Sequence, residues 1–288
     1  MKRIGFITSS DAPDIATDDR TLVLELEKLN IAGVPAAWDS HDVDWKAFDL
    51  LLIRSCWNYH LHPEKFEAWV NSIVRNKVRM ANPPGLVLWN MNKYYLKGLM
   101  EEGVRIPDSV WLAEHDFNPD KLYNILVEKK WDRAVLKPCI SASSFRTTIV
   151  TPLNAREEGN TIAQHFPKGG MILQKFMDAI PQQGEHSIIF FNGEYSHAVL
   201  KQAKAGEFRV QHQFGGTATR ASVPREIVKV ASNIISKLDS VPLYARVDGI
   251  ATDNNFTLME LELIEPVLFI SHVPDAARNF AAHIARLL

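Results

Sequence analysis

Residues 258–269 read LMELELIEPVLF, and their carboxylates sit where an apolar strand would bury them. Leu258, Met259, Leu261, Leu263 and Ile264 have strand composition, yet Glu260, Glu262 and Glu265 stand among them. An ionised carboxylate withdrawn from water costs several kcal/mol unless a cation meets it. Side chains alternate along a strand, so Glu260 and Glu262 share one face while Met259, Leu261 and Leu263 share the other. Upstream, YARVDGI puts Arg246 and Asp248 on one face by the same rule. A hairpin through ATDNN, with a three- or five-residue loop centred on Asn254, sets Asp248 opposite Glu260 and Arg246 opposite Glu262. A two-residue loop would turn Asp248 to the wrong face, and the polar run Asp253-Asn254-Asn255 favours the odd length.

Three carboxylates would then lie within about 5–6 Å of one another. At an effective dielectric of about 20, each like-charge pair repels by roughly 3 kcal/mol. One arginine does not neutralise three acids, whereas a hard divalent cation does, and all-oxygen ligation suits Mg²⁺ or Mn²⁺. A half-exposed strand face, with Arg246 bridging one glutamate, shows the same alternation. On the hairpin alone both readings stay open. Glu265 has the opposite parity and precedes Pro266, so it is expected to face substrate or serve structure rather than ligate.

Carboxylate-bound Mg²⁺ usually works with phosphates, which directs attention to lysines. Lys137 ends the apolar strand AVLK, beside the small polar loop Ser141-Ala142-Ser143-Ser144. A lysine there contacts phosphate as a point charge while loop N–H groups cradle the oxygens; as a lone residue it equally snorkels to solvent. Asn92-Lys93 opens a helix, whose positive end also favours phosphate. No GxGxxG follows the first strand and no GxxxxGK[ST] is present, which argues against a dinucleotide-binding fold or P-loop.

The elements that must position these groups follow from periodicity. The first 85 residues alternate strand and helix: strands at Arg3–Thr8, Val34–Trp38 and Leu50–Arg54, helices at 17–29 and 63–74. That order predicts a small parallel sheet flanked by helices. Asn82-Pro83-Pro84-Gly85 marks a boundary. A mixed central region follows, then a hairpin about Asn192-Gly193. Helices near 224–238 and 274–288 frame the acidic strands. The expected organisation is α/β and α+β: an N-terminal α/β domain (1–88), a central subdomain (89–178) and a C-terminal subdomain carrying the metal site (179–288).

The net charge of −2 gives no general attraction to nucleic acid or membrane. No apolar run approaches the roughly 18 residues of a membrane span. Cys56 and Cys139 lie far apart without metal-ligand spacing, which predicts free thiols and a reducing, cytoplasmic setting. A monomer and a homodimer are equally compatible with the sequence.

In order along the chain, NK (92–93), VLKP (135–138), the small-residue loop, QKF (174–176), GEHS (184–187), GEFR (206–209), RVDG (246–249) and MELE (259–262) resemble the ATP-grasp ligases. Within them, DLLLIRSCWNYH (49–60), FEAWV (66–70), WNMNKYYL (89–96), FFNGEYSHAVLK (190–201) and LMELELIEPVLF are similar to the group related to the O-ureido-serine cyclo-ligase of D-cycloserine biosynthesis. The resemblance implies an ATP-grasp fold, with the N-terminal domain preceding two lobes that clasp ATP. It implies that Lys93, Lys137, Ser141 and Ser143 meet the nucleotide phosphates. Gln174, Lys175, Phe176 and Met177 would form the interlobe hinge at adenine, and Glu185 would hold the ribose. Asp248, Glu260 and Glu262 would bind two Mg²⁺ ions, with Mn²⁺ as a substitute. Arg209, Lys201 and Arg246 would stand near the transferred phosphoryl group. The chain departs from the family pattern at three places: Ser-Ala-Ser-Ser replaces a glycine-rich loop, position 174 is Gln where acids are common, and position 262 is Glu where Asn is frequent.

The chemistry so implied is activation of a small carboxylate as an acyl phosphate, then displacement by a nitrogen nucleophile, with no catalytic Ser, Cys or His. Arg54, Trp57 and Asn58, at the end of the third strand, are expected at the acceptor pocket, where ligands approach parallel sheets; RSCWNY also suits a packing corner with Trp57 buried. Two other functions compete: a ligase adding amino acids to a peptide or protein, and a catalytically silent ATP-binding module. The near-neutral charge disfavours the former, and the full set of acids and lysines the latter.

Overall fold

The computed structural model describes residues 1–252 and 255–288, with His212 represented by its backbone alone. The chain forms β1 (Lys2–Thr8), α1 (Arg20–Lys28), β2 (Ile31–Ala37), β3 (Leu50–Ile53), α2 (Pro63–Arg75) and β4 (Met80–Ala81). These strands make a parallel sheet in the order β2-β1-β3-β4, as the alternating pattern predicts. Helix α3 (Pro84–Asn90) occupies the segment expected to be a boundary. Pro84 takes its first position, where proline starts a helix, and Pro83 precedes it.

After α4 (Tyr95–Glu101) come β5 (Ser109–Leu112), α5 (Lys121–Lys129), β6 (Ala134–Pro138), β7 (Thr148–Val150), α6 (Ala155–Gln164) and β8 (Met171–Lys175). They build an antiparallel sheet in the order β5-β8-β6-β7, backed by α5 and α6. A short α7 (Ala179–Gln183) leads to β9 (Glu185–Phe191), β10 (Glu194–Gln202), β11 (Thr217–Ala221), α8 (Arg225–Ser236), β12 (Tyr244–Thr252), β13 (Asn255–Glu262) and α9 (Ala276–Ala285). The third sheet runs β11-β10-β9-β12-β13. Its β9–β10 turn is the expected Asn192-Gly193, both with positive φ (49° and 76°), which a tight hairpin requires.

Packing ties distant segments together. Leu86, Tyr95, Leu96 and Leu99 share a core with Ile188, Ala245, Leu258 and Leu261, so α3 and α4 lie under the third sheet. Phe280, Ala281 and Ile284 of α9 share another with Ile4, Phe6, Leu22 and Leu26, so the last helix returns to the first sheet. Phe280 stacks on Phe191 at 4.3 Å and joins the two sheets. Among the described residues no helix is long and apolar enough to cross a membrane. Both cysteines are buried free thiols.

Candidate active site

The acids of β12 and β13 pair as expected, Asp248 opposite Glu260 and Arg246 opposite Glu262, but by a different route. Thr252 pairs with Asn255, the register that would turn Asp248 to the wrong face, and the loop expected about Asn254 lies outside the described residues. Parity is restored by a bulge, where Asp248 pairs with Glu260 but Gly249 pairs with Leu258, leaving Met259 over. Met259 therefore lines a cavity instead of packing behind, and Leu258 takes the core place expected for it. Gly249 permits the kink: a Cβ there would lie 2.3 Å from Phe256 Cζ and 2.5 Å from Thr257 O.

β13 is an edge strand, and side chains satisfy its open edge. Asn90 donates to Leu261 O and accepts from Leu263 N, both at 2.8 Å. Tyr95 Oη accepts from Leu261 N at 3.0 Å, and Asn82 Nδ2 donates to Leu263 O at 2.8 Å. The strand carrying the glutamates is thus fixed residue by residue.

Those glutamates border a cavity of about 1080 Å³ reached by all three sheet regions. Cations and acids interleave along it. Lys201 Nζ lies 2.8 Å from Glu185 and 2.9 Å from Asp248. Arg246 holds Asp248 through Nε and Nη2 at 2.9–3.1 Å and also meets Glu262. Lys93 Nζ is 3.1 Å from Glu260 and donates to Ser141 O at 2.8 Å.

This arrangement separates the carboxyls. Burial would raise Asp248, but Arg246 and Lys201 outweigh it and hold the carboxyl well below its usual range. Burial likewise opposes Glu260, where Lys93 and Lys137 prevail and the carboxyl is lowered. Glu262 is pushed up to about 7 by burial, because Arg246, shared with Asp248, is offset by repulsion from Glu260 and Asp248. Glu265 is pushed up to about 8 by burial and by the charge of Glu262. Glu185 is raised by burial despite Lys201. Burial lowers Lys137, whereas Asp248 and Glu185 overcome burial at Lys201 and raise it.

Among the described residues no three His, Cys, Asp or Glu side chains come together as a metal cluster. Asp248, Glu260 and Glu262 line one face but do not meet at a single point, because Ser187, Lys201 and Arg246 occupy the oxygens of Asp248. The donor chemistry nevertheless fits a hard cation. Glu260 and Glu262 offer carboxylate oxygens to the cavity, their side chains 30% and 25% exposed.

The other expected residues divide. Lys137, Ser141, Ser143, Gln174, Lys175, Phe176, Met177, Glu185, Lys201 and Arg209 all line the cavity, with Lys93 and Arg246. Gln174 Nε2 donates to Ser109 Oγ at 3.2 Å, and the Ser141 hydroxyl to Pro138 O at 3.0 Å. The carboxylate of Glu185 is taken by Lys201. Arg209 is paired with Glu207 and lies 3.6 Å over the ring of Phe214. In the loop, Ser143 and Ser144 adopt φ of 51° and 58°, left-handed conformations where glycine is the unstrained choice.

Of the residues expected at the acceptor pocket, only Trp57, 36% exposed, lines the cavity. Arg54 is 3% exposed and stands apart: its Nε holds Asp19 at 3.0 Å and its Nη2 donates to Pro266 O at 2.9 Å. Asn58 is also structural, accepting from Trp38 Nε1 at 2.7 Å and donating to Asp11 and Asp39. Both expectations are corrected, because strand-end position says nothing of the buried partners waiting there. Residues not anticipated include Asp18, Tyr59, Phe208, Ser271 and His272, which also line the cavity. Asp18 resembles any helix-start acid in sequence, Tyr59 and Phe208 fall inside DLLLIRSCWNYH and GEFR as hydrophobic members that nothing singles out, and Ser271 and His272 lie in a segment without a pattern.

A family profile described as "D-cycloserine synthetase DcsG, N-terminal domain" matches residues 4–82. Another, "Prokaryotic glutathione synthetase, ATP-grasp domain", matches residues 119–267. The cycloserine biosynthesis protein DcsG of Streptomyces lavendulae is 27% identical over 298 residues, covering 100% of this chain and 99% of that protein. The crystal structure of D-cycloserine synthetase DcsG superimposes with a TM-score of 0.88 over 99% of this chain and 100% of its own, at 24% identity. D-alanine–D-alanine ligase from Bacillus anthracis does so with a TM-score of 0.70 over 100% and 96%, at 17% identity. The chain belongs to the ATP-grasp ligases, a family of enzymes that use ATP with Mg²⁺ to form carbon–nitrogen bonds.

Proposed function

We propose that this enzyme activates a small amino-acid-like carboxylate with ATP. The carboxylate attacks the γ-phosphate, giving an acyl phosphate and ADP, and a nitrogen nucleophile then displaces phosphate. The observation that carries the reading is one cavity bordered at once by the hinge residues Gln174–Met177, the lysines Lys93, Lys137 and Lys201, and the glutamates of β13. Adenine lies against the hinge, between Phe176 and Met177, with Gln174 and backbone groups at its edge. Lys93 and Lys137 meet the phosphates as point charges, and the loop at Ser141–Ser144 closes over them. Glu185 takes the ribose hydroxyls once Lys201 turns toward phosphate. Arg209 and Arg246 hold charge that develops on the transferred phosphoryl group.

Glu260 and Glu262 would hold Mg²⁺, with Asp248 joining when Lys201 is drawn to the nucleotide; two ions suit the number of acids. Bound there, Mg²⁺ neutralises phosphate oxygens. The likeness to a cycloserine biosynthesis protein favours an amino-acid-derived substrate whose own nitrogen closes the ring. The free thiols and the use of ATP support a cytoplasmic setting.

The test is isotopic. With an acid labelled by ¹⁸O in its carboxylate, drawn from amino acids and ureido-amino acids, turnover should release ADP and inorganic phosphate carrying one ¹⁸O. Release of AMP, or phosphate without label, would contradict the acyl phosphate route.

A further inference from the structure

Four acids of the cavity are paired with cations: Glu185 and Asp248 with Lys201, Asp248 and Glu262 with Arg246, and Glu260 with Lys93. Glu265 borders the same cavity and has no ion-pair or hydrogen-bond partner among the described residues. Its backbone, by contrast, is held on both sides. Tyr244 Oη lies 2.8 Å from Ile264 O and 2.7 Å from Ile53 O, and Arg54 Nη2 donates to Pro266 O at 2.9 Å. A buried arginine and a buried tyrosine thus fix the residues before and after a carboxylate that itself touches no cation.

The position of Glu265 in the cavity is informative. The contacts of Arg54 with Pro266 and of Tyr244 with both Ile53 and Ile264 set it where the cavity borders the N-terminal region. Tyr59 and Trp57 line that end with Asp18, whose oxygens accept only from neutral donors: Ile270 N, Ser271 N and Ser271 Oγ, at 2.8–3.1 Å. Two carboxylates stand there beside aromatic walls; Arg246, whose Nη1 donates to Val267 O at 3.1 Å, also reaches this region but is committed to Asp248 and Glu262.

We propose that Glu265, supported across the cavity by Asp18, is the counter-ion for the ammonium group of the acid that the enzyme activates. The inference rests on the activation reading above and adds a selection rule: the substrate carries a free amino group, and a carboxylic acid lacking it is rejected. An ammonium supplies the missing cation, and the rigid backbone places the substrate carboxylate toward the γ-phosphate at the opposite end. A substrate without the ammonium leaves Glu265 desolvated and unpaired, the situation that gives polar sites their large discrimination.

The test compares matched acids, D- and L-alanine with propionate, and D- and L-serine with 3-hydroxypropionate. Activation is read as hydroxamate formed with hydroxylamine in place of the natural nucleophile. The wild-type enzyme should prefer an amino acid by about 100-fold in kcat/KM. Glu265→Gln should erase that preference through a raised KM for the amino acid, leaving the KM for ATP within about threefold, and Glu265→Asp should restore part of it. Preference unchanged in Glu265→Gln, or equal losses on both members of each pair, would overturn the role of Glu265 while leaving activation intact. Failure of the wild-type enzyme to activate any acid would instead overturn the activation reading, and this inference with it.

Discussion

Lys93 Nζ stands 3.1 Å from Glu260 Oε1 and simultaneously donates to the backbone oxygen of Ser141 at 2.8 Å. One ammonium thereby joins the segment before α4, the small-residue loop and the acidic strand β13. An incoming phosphate competes with both contacts, so nucleotide binding exchanges Lys93 from protein oxygens to substrate oxygens and releases the loop and Glu260 together. Lys93→Met should lower kcat/KM for ATP by about 10²–10³-fold. Steady-state kinetics with varied ATP checks this; a change below about threefold would remove Lys93 from phosphate binding.

Gly249 sits across from the bulge that realigns the acids. A Cβ would strike both Phe256 and the Thr257 carbonyl. Gly249→Ala should destabilise the fold by about 1–3 kcal/mol, and it should weaken Mg²⁺-dependent turnover because Asp248 and Glu260 shift in register. Thermal unfolding and Mg²⁺ titration of activity measure the two effects separately.

Arg54 and Asp19 form an ion pair whose side chains are each 2% exposed. Arg54→Met strands Asp19 and frees the Pro266 carbonyl, at a cost of about 3–5 kcal/mol. Adding Asp19→Asn should recover part of that loss. Chemical denaturation of the single and double variants tests it, and additive losses would contradict the pairing.

The pH dependence follows from Glu265 and Glu262, whose carboxyls are raised to about 8 and about 7, first by burial and then by repulsion from neighbouring acids. Glu260 adds repulsion at Glu265, while Lys93 and Arg246 act against it. For an acid raised in the folded state, the fold retains a proton that the unfolded chain has released. Stability therefore falls as pH rises from the ordinary carboxyl range through the folded values. In Mg²⁺-free buffer the wild-type Tm should drop between pH 6 and pH 9 by roughly 5 °C more than that of Glu265→Gln. Parallel curves for the two proteins would contradict the raised carboxyl.

Much of this was legible in the chain. Alternation put Glu260 with Glu262 and Arg246 with Asp248, and an assumed odd-length loop joined the two pairs on one face. The route was hidden, since a bulge leaves no trace in hydrophobic pattern and Gly249 reads as an ordinary strand glycine. Arg54 was misplaced because Asp19, its partner, lies in a helix start whose contacts periodicity does not reveal. The same blindness hid the return of α9 to α1: an amphipathic face announces burial, not what buries it. Strand β11, TATRA, is half-exposed at an edge and carries no apolar alternation to announce it.

Glu260 joins both parts of the account, borne by the fixed edge strand and held by the phosphate-facing lysines. The most direct measurement is ADP release by Glu260→Gln at saturating ATP and Mg²⁺, with the acid that the wild-type enzyme turns over. Turnover should fall by at least about 10³-fold while the Tm of the free protein stays within a few degrees of wild type. Activity within about tenfold of wild type, from a folded variant, would contradict a metal- and phosphate-bearing role for the acids of β13.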